Sequence, residues 1–233
     1  MGIWGRKGDL QNLAGQIMPE AGTSRCRLCL VTPLQSEPAA LPTLVGAALA
    51  GGDVASLIIA IDPADPNVLQ RVAQAIVPIA AARGVATLVH NDTRIVGRSG
   101  ADGVHVDSGA VDLADAIAAL GRKKIVGGGG IRSRHEAMLA GESDPDYVFF
   151  GRLDGDTGEA IFEKAFELAA WWSSIFVIPA IVMGGSSIAS VRQAAAAGIE
   201  FVALSRAVFA AADPAEAVAE ANRLLAETPE LAS

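Results

Sequence analysis

Residues 88–106 read Leu-Val-His-Asn-Asp-Thr-Arg-Ile-Val-Gly-Arg-Ser-Gly-Ala-Asp-Gly-Val-His-Val. The stretch joins the end of an apolar strand, a short helical segment, a stop at Gly100 and the next apolar strand. Compact β/α units of this kind build parallel sheets whose strand ends hold ligands. Whether the unit repeats along the chain therefore decides the fold.

Strand-like and helical segments alternate from Arg27 onward. The apolar runs predict strands at Leu28–Val31, Ser56–Ile61, Ala86–Val89, Gly103–Val106, Lys124–Gly127, Tyr147–Phe150, Ala180–Met183 and Phe201–Leu204. The segments after them predict helices at Leu41–Ala50, Pro66–Arg83, Thr93–Ser99, Val111–Leu120, Ser133–Leu139, Gly158–Trp172, Ile188–Ala197 and Pro214–Ala226. Strand–helix units in this number predict an α/β fold, a closed (β/α)8 TIM barrel over residues 24–233, with an open doubly wound sheet as the alternative. Residues 1–23 show no sustained period and predict an N-terminal arm.

Composition and charge narrow the function classes. Hydrophobic residues make up 51% of the 233 residues, and the formal net charge is −8. The negative field repels polyanions, so we expect no nucleic-acid partner. A phosphorylated small molecule remains compatible, because backbone N–H groups also bind phosphate on acidic proteins.

The chain carries no visible membrane or targeting segment. Every apolar stretch breaks well short of roughly 20 residues, so we expect no membrane partner. The first residues lack the apolar core of a secretory signal. Cys26 and Cys29 fall on opposite faces of a strand and predict reduced structural thiols. These features predict a cytoplasmic protein, and they are compatible with a homo-oligomer.

An acidic residue precedes three of the predicted strands, after a helix stop each time. These residues are Asp102, Asp146 and Glu200. They belong to the amino ends of the strands, which in a barrel form the face concerned with stability. We therefore interpret them as solvated turn carboxylates.

The clearest ligand signal follows the last two strands. Two glycines let the backbone approach a ligand, and a following helix start offers N–H groups to a phosphate. This is the habitual phosphate position of a barrel. The sequence therefore predicts a phosphate site, with a purely structural turn as the alternative, at Gly184, Gly185, Ser186, Ser205 and Arg206.

A second cluster of candidates follows the third and fourth strands. Asn91 and Asp92 are predicted to act on the substrate, and Asp92 and Asp107 are predicted to bind Mg²⁺, which takes only one or two carboxylates. The alternative for Asn91 or Asp92 is a cap on the helix that begins at Thr93. The alternative for Asp107, as for Asp112, is a cap on the helix Val111–Leu120. His90 ends the third strand and is an acid–base candidate.

Three further features lie near this cluster. His105 is interpreted as a side chain that fills the barrel. Gly127–Gly130 predicts a flexible loop after the fifth strand, which either cradles a phosphate or leaves space. Arg132 and Arg152 are the cations nearest to an anion bound there, and Arg132 is a candidate phosphate ligand.

These motifs together resemble thiamine-phosphate synthase, also called thiamine-phosphate pyrophosphorylase, and its relative the thiazole tautomerase. The resemblance covers residues from about Cys29 to Ala226. It rests on Leu30-Val31-Thr32, His90-Asn91-Asp92, Gly100-Ala-Asp-Gly-Val-His105, Asp146-Tyr-Val-Phe-Phe-Gly151, Gly184-Gly185, Ala203-Leu-Ser205, Phe209 and Asp213-Pro214.

The resemblance implies a (β/α)8 barrel that joins an aminopyrimidine-methyl diphosphate to a thiazole phosphate and releases pyrophosphate with the help of Mg²⁺. It implies that Asn91 contacts the pyrimidine or the diphosphate and that Asp92 binds the metal. It also implies that Gly184, Gly185 and Ser205 hold the thiazole phosphate.

This chain departs from the family where the diphosphate binds. The family's Gln-x-Arg-x-Lys after the second strand is replaced by Ile59-Ala-Ile-Asp-Pro63, and its Thr-x-Thr-Lys loop is replaced by residues 151–157 without the lysine. Because a departing diphosphate needs cations, a reduced or lost activity is expected. Two alternatives follow: a non-catalytic barrel that binds a phosphorylated metabolite, and another barrel enzyme such as an isomerase that uses His90.

Overall fold

The computed structural model describes residues 25–62 and 65–228. Eight parallel strands in these ranges pair in chain order and close into a barrel, because the first also pairs with the eighth. The strands are β1 Arg27–Val31, β2 Ser56–Ile59, β3 Ala86–His90, β4 Gly103–Val106, β5 Ile125–Ile131, β6 Tyr147–Phe150, β7 Ala180–Met183 and β8 Phe201–Leu204. The TIM-barrel prediction is confirmed, and the open sheet is excluded. The predicted arm, residues 1–23, lies outside the described residues.

Helices cover the outside of the barrel. They are α1 Leu41–Ala48, α2 Pro66–Ala81, α3 Thr93–Ser99, α4 Ala110–Leu120, α5 Arg134–Glu142, α6 Glu163–Ser173, α7 Val191–Ala196, α8 Arg206–Phe209 and α9 Pro214–Glu227. Short 3₁₀ turns follow α4 at Gly121–Lys123 and precede α7 at Ile188–Ser190. The sequence pattern did not predict α8, which is one turn long. Within the described ranges, no helix is long and apolar enough to cross a membrane.

Strand residues alternate between two cores, as the period of two in a strand requires. In β1, Leu28 and Leu30 point outward and join the large core between sheet and helices. Cys29 and Val31 point into the barrel, beside Phe149 of β6. The two free cysteines are both buried, and Cys26 belongs to the outer core, so their predicted structural role is confirmed.

The glycine run is strand and not loop, so that prediction was wrong. β5 extends through Gly127–Gly130 to Ile131, with an irregular register against β6 after Gly128. A Cβ atom on Gly127 would lie 1.9 Å from the ring of Tyr147. The glycines therefore leave room for side chains from neighbouring elements, which occupy the space that β5 itself does not fill.

The acidic residues before β4, β6 and β8 are accessible to solvent, as interpreted, but they are also hydrogen-bonded to the barrel, which the interpretation missed. Each accepts a hydrogen bond from the backbone N–H near the start of the preceding strand. Asp102 accepts from Thr87 at 2.8 Å, Asp146 from Val126 at 2.7 Å, and Glu200 from Ala180 at 3.0 Å. These three carboxylate ties join the amino ends of β3 and β4, β5 and β6, and β7 and β8.

Candidate functional site

Polar side chains from β3 and β4 meet at the carboxyl ends of these neighbouring strands. His90 Nε2 lies 2.9 Å from Asp107 Oδ1, and the Asn91 amide nitrogen donates to the same oxygen at 2.7 Å. The Asp107 backbone N–H donates to Asn91 Oδ1 at 3.0 Å. The structure thus brings Asp107 together with His90 and Asn91 and not with Asp92, and we call His90, Asn91 and Asp107 the β3–β4 cluster.

The backbone at Asn91 explains why these groups converge. Asn91 has φ +53°, a left-handed conformation that asparagine tolerates better than most residues. Its own N–H donates to His105 O at 2.8 Å, which ties the end of β3 to β4. The turn directs the Asn91 side chain across to Asp107 immediately after the strand ends.

Asp107 is held as a carboxylate. Burial raises the pKa of Asp107, but the hydrogen bonds from His90 and Asn91 outweigh burial and hold this pKa well below its ordinary value. The carboxylate is 30% exposed, so it faces the open end of the barrel. The cluster therefore presents a fixed negative charge to whatever enters the mouth.

Beneath the cluster, His105 fills the barrel as predicted. Its side chain is buried, Nδ1 lies 2.9 Å from the Tyr147 hydroxyl, and the ring packs edge-on against Phe149. Nε2 has no hydrogen-bond partner among the described residues. Burial and the nearby His90 lower the pKa of His105 to about 3. His105 is therefore a neutral side chain at physiological pH.

Asp92 is placed as a helix cap, the alternative weighed for it. Its Oδ1 accepts the backbone N–H of Arg94 at 2.9 Å and of Ile95 at 3.3 Å, at the start of α3. Its Oδ2 lies 3.1 Å from the Arg94 guanidinium. The carboxylate that the family resemblance assigns to a metal therefore binds α3 and its arginine, and its role toward a ligand stays a prediction.

Four arginines follow strand ends at the mouth, and three of them pair with nearby carboxylates. Arg94 pairs with Asp92, Arg152 with Asp154, and Arg206 with Asp156. The fourth, Arg132, follows β5. Its backbone N–H donates to Glu136 at 2.6 Å, and its guanidinium has no partner within residues 25–62 and 65–228. Arg132 follows the strand next to β4 and is the one of these four arginines whose guanidinium has no carboxylate partner among the described residues.

The predicted phosphate site lies where the sequence placed it, at the carboxyl ends of β7 and β8. Its backbone N–H groups are already paired within the chain. Gly185 donates to Ser190 Oγ at 3.0 Å, Ser186 to Gly158 O at 2.8 Å, Ser187 to Glu159 O at 3.3 Å, and Arg206 to Asp156 Oδ2 at 2.6 Å. Ser205 is buried beneath α8. Phosphate binding there stays a prediction.

Sequence reasoning missed Asp156, which is 1% exposed at this site. Asp156 belongs to the segment between β6 and α6, residues 151–162, which we call the β6–α6 connection. The acidic, glycine-rich run from 151 to 159 is typical of a solvated loop, and nothing local to it predicts that a carboxylate reaches β8. The two meet because β6 and β8 both lie next to β7, so that the connection reaches the end of β8 across the end of β7.

The donor set for a metal is small. Among the described residues, no group of three His, Cys, Asp or Glu side chains is arranged to hold a metal ion. Asp92 is committed to α3, while Asp107 binds its neighbours through Oδ1. Mg²⁺ takes only one or two carboxylates from a protein, and its other ligands are water and phosphate oxygens. Asp107 therefore fits as a protein ligand of a Mg²⁺ ion whose remaining ligands come mainly from water and from the phosphates of the substrate.

The sequence comparisons with known proteins agree on one family. The family model for thiamine monophosphate synthase matches residues 28–208, more than half of the chain. A thiamine-phosphate synthase from Rhodospirillum centenum is 34% identical over 202 residues, which span 86% of this chain and 98% of the relative. One from Hyphomonas neptunium is 34% identical over 207 residues, spanning 86% and 94%.

Solved structures agree on the fold. A thiamine phosphate pyrophosphorylase from Pyrococcus furiosus superposes with a TM-score of 0.73 at 20% identity, covering 88% of this chain and 98% of that one. An orotidine 5'-phosphate decarboxylase from Pyrococcus horikoshii gives 0.62 at 15% identity, covering 85% and 99%. At these identities the two structures establish the barrel architecture and nothing further.

Proposed function

Because the chain belongs to the thiamine monophosphate synthase family, we propose that it joins an aminopyrimidine-methyl diphosphate to a thiazole phosphate at the carboxyl ends of its strands. Pyrophosphate is the leaving group. The Asn91 amide orients the pyrimidine or its diphosphate, and the loops after β7 and β8 take the thiazole phosphate. The partners are therefore phosphorylated small molecules, and the setting is thiamine biosynthesis.

One observation supports this proposal most directly: Arg132 follows β5, the strand next to β4, and its guanidinium is unpaired among the described residues. A departing pyrophosphate gathers negative charge, and a cation aimed at it lowers the barrier. Arg94 and Arg152 are less suited, because each already pairs with a carboxylate two residues away. Arg132 is thus the residue of this mouth best placed to receive the leaving group.

Mg²⁺ is the cofactor that the family implies. Asp107 would hold it, joined by Asp92 if that carboxylate leaves Arg94, and the ion would neutralise the diphosphate. The β3–β4 cluster supplies a carboxylate that stays ionised, because hydrogen bonds from His90 and Asn91 keep the pKa of Asp107 low.

The decisive experiment incubates the purified protein with both substrates and Mg²⁺ and measures pyrophosphate release. We expect magnesium-dependent release that falls about a hundredfold or more in Arg132→Gln, since removing one charge-stabilising donor costs about 10²–10³ in rate. Arg71→Gln, an exposed arginine on α2, is the matched control and keeps the native rate. Release that is unchanged in Arg132→Gln contradicts this assignment of Arg132.

A second candidate function is a barrel that binds a phosphorylated metabolite without turning it over. The observation in its favour is that three of the four arginines at the mouth are paired with carboxylates of the chain itself. It predicts calorimetric binding of the thiazole phosphate with no pyrophosphate release and no magnesium dependence. A cytoplasmic location and a homo-oligomeric state stay predictions for either candidate.

A further inference from the structure

We propose that the β6–α6 connection is an internal plug of the phosphate end, and that Asp156 weakens the binding of anions there by competing with them for the Arg206 N–H. The Asp156 carboxylate stands where a ligand phosphate would receive the Arg206 N–H. A phosphate ester therefore binds only by displacing this carboxylate. The inference rests on the proposed function, which assigns the ends of β7 and β8 to the thiazole phosphate.

Three donors of the phosphate end are taken by this one connection. The N–H groups of Ser186 and Ser187 donate to the carbonyl oxygens of residues 158 and 159, at 2.8 and 3.3 Å. The N–H of Arg206 donates to Asp156 Oδ2 at 2.6 Å. Backbone N–H groups at the ends of barrel strands 7 and 8 are the donors that bind phosphate in this fold. Here the chain itself supplies the acceptors.

Contact between the connection and β7 leaves no room for an additional group. A Cβ atom on Gly185 would lie 2.0 Å from Glu159 O, so the two backbones touch where a phosphate would enter. The Ile161 N–H donates to Gln193 Oε1 at 3.1 Å, which fastens the connection to α7 as well. Ligand and connection therefore exclude each other.

The Asp156 carboxylate of the plug is negatively charged, as is the phosphate that would replace it. Asp156 is 1% exposed, and Arg206 Nε lies 3.5 Å from its Oδ1. A buried carboxylate needs hydrogen bonds and a nearby cation, and it obtains both from Arg206. A phosphate offers three oxygens, the number needed to replace two carbonyl oxygens and one carboxylate oxygen. A neutral ligand lacks this set of acceptors.

Calorimetric titration of the full-length protein with thiazole phosphate, and separately with inorganic phosphate, tests the plug. Asp156→Ala removes the competing acceptor, and Asp156→Asn removes its charge while keeping its shape. We expect both variants to bind either anion about tenfold tighter than the native protein, as loss of a competing charged hydrogen bond implies.

Glu163→Gln is the matched control. It removes one negative charge from the exposed first residue of α6, directly after the connection, and Glu163 takes no part in the contacts of the plug. We expect this variant to keep the native affinity. Equal affinity in native protein, both Asp156 variants and the control overturns the plug, and so does a complete absence of binding in all of them.

A measurement on the native protein complements the variants. In ¹⁵N-resolved NMR spectra, saturating phosphate should shift the Ser186 and Arg206 amide resonances together, because both donors exchange their partners in one event. Shifts at neither residue contradict the inference. Tighter anion binding by Asp156→Asn, with no pyrophosphate release by any variant, would support the plug and refute the proposed reaction. Full turnover with an anion affinity that does not change in the Asp156 variants would support the reaction and refute the plug.

Discussion

His105 is a titratable residue enclosed by the barrel wall. Its folded pKa is about 3, against 6.5 for an unperturbed histidine, with burial as the main cause. Between these values the unfolded chain binds a proton that the folded protein does not. The stability contributed by the neutral ring is therefore complete above pH 6.5 and is lost as the pH falls toward 3.

The first prediction follows from this difference. The free energy of unfolding of the native protein should fall on acidification from pH 6.5, and His105 should contribute at most about 1.4 kcal/mol per pH unit. His105→Gln should lose that part of the slope. Urea denaturation across this pH range measures it, with His135→Gln, an exposed histidine of α5, as the control. An identical slope in native protein and His105→Gln would refute the assignment.

Gly127 offers a second test at the level of one residue. Its Cβ would lie 1.9 Å from the Tyr147 ring, inside the barrel. Gly127→Ala should therefore cost about 1–3 kcal/mol, the usual penalty for overpacking a filled core. Chemical denaturation measures the loss. Gly97→Ala is the contrasting variant, since nothing lies within 4 Å of its added carbon and α3 gains a better helix former. A neutral Gly127→Ala would mean that Tyr147 moves aside freely.

At the scale of elements, the carboxylate ties hold neighbouring strands at their amino ends. Asp102→Ala leaves the Thr87 N–H without its partner, and the hydroxyl of Thr87 also loses a 3.0 Å bond. We expect a loss of about 1–3 kcal/mol, since the bonds are made to a charged group. Asp115→Ala on the exposed side of α4 should change stability little. Differential scanning calorimetry compares the two, and equal melting temperatures would show that the tie contributes nothing.

Sequence patterns predicted element identity well and element ends less well. Continuous apolar runs marked all eight strands, because both faces of a parallel strand are buried. The pattern did not predict the end of β5, because a run of glycines is typical of loops. The space beside these glycines is filled by side chains from other elements. The pattern also missed the ties at Asp102, Asp146 and Glu200, because they depend on which strands lie side by side.

For the whole molecule, closure depends on β1 and β8. Leu28 pairs with Val202 and Leu30 with Leu204, which joins the first strand to the last. The barrel therefore closes within the described residues, and we propose that it folds without residues 1–23. The melting temperature of a chain beginning at residue 24 should stay within about 3 °C of the full-length value, a shift that about 1 kcal/mol would cause. A larger drop would assign the arm a packing role.

The sequence predicted at which end of the barrel the site residues lie, but not which residues they contact. Strand order alone puts Asn91, Asp107 and Arg132 at one end of a barrel, because the carboxyl ends of all eight strands gather there. It does not show that Asp92 caps α3, or that Asp156 reaches Arg206, since both depend on side-chain directions set by packing. A position after a strand is thus a necessary condition for a ligand contact and not a sufficient one.

The glycine strand has a consequence for how this sequence can change over generations. Gly127 makes room for Tyr147, Gly128 for Leu113 and Gly129 for His105, so side chains from three other elements fill the space beside β5. A larger residue at any of these glycines is tolerable only after its neighbour has become smaller. Among descendants of this chain, residues 127 and 147 should therefore vary as a pair, and a lineage that first shortens Tyr147 gains the freedom to rebuild the fifth strand.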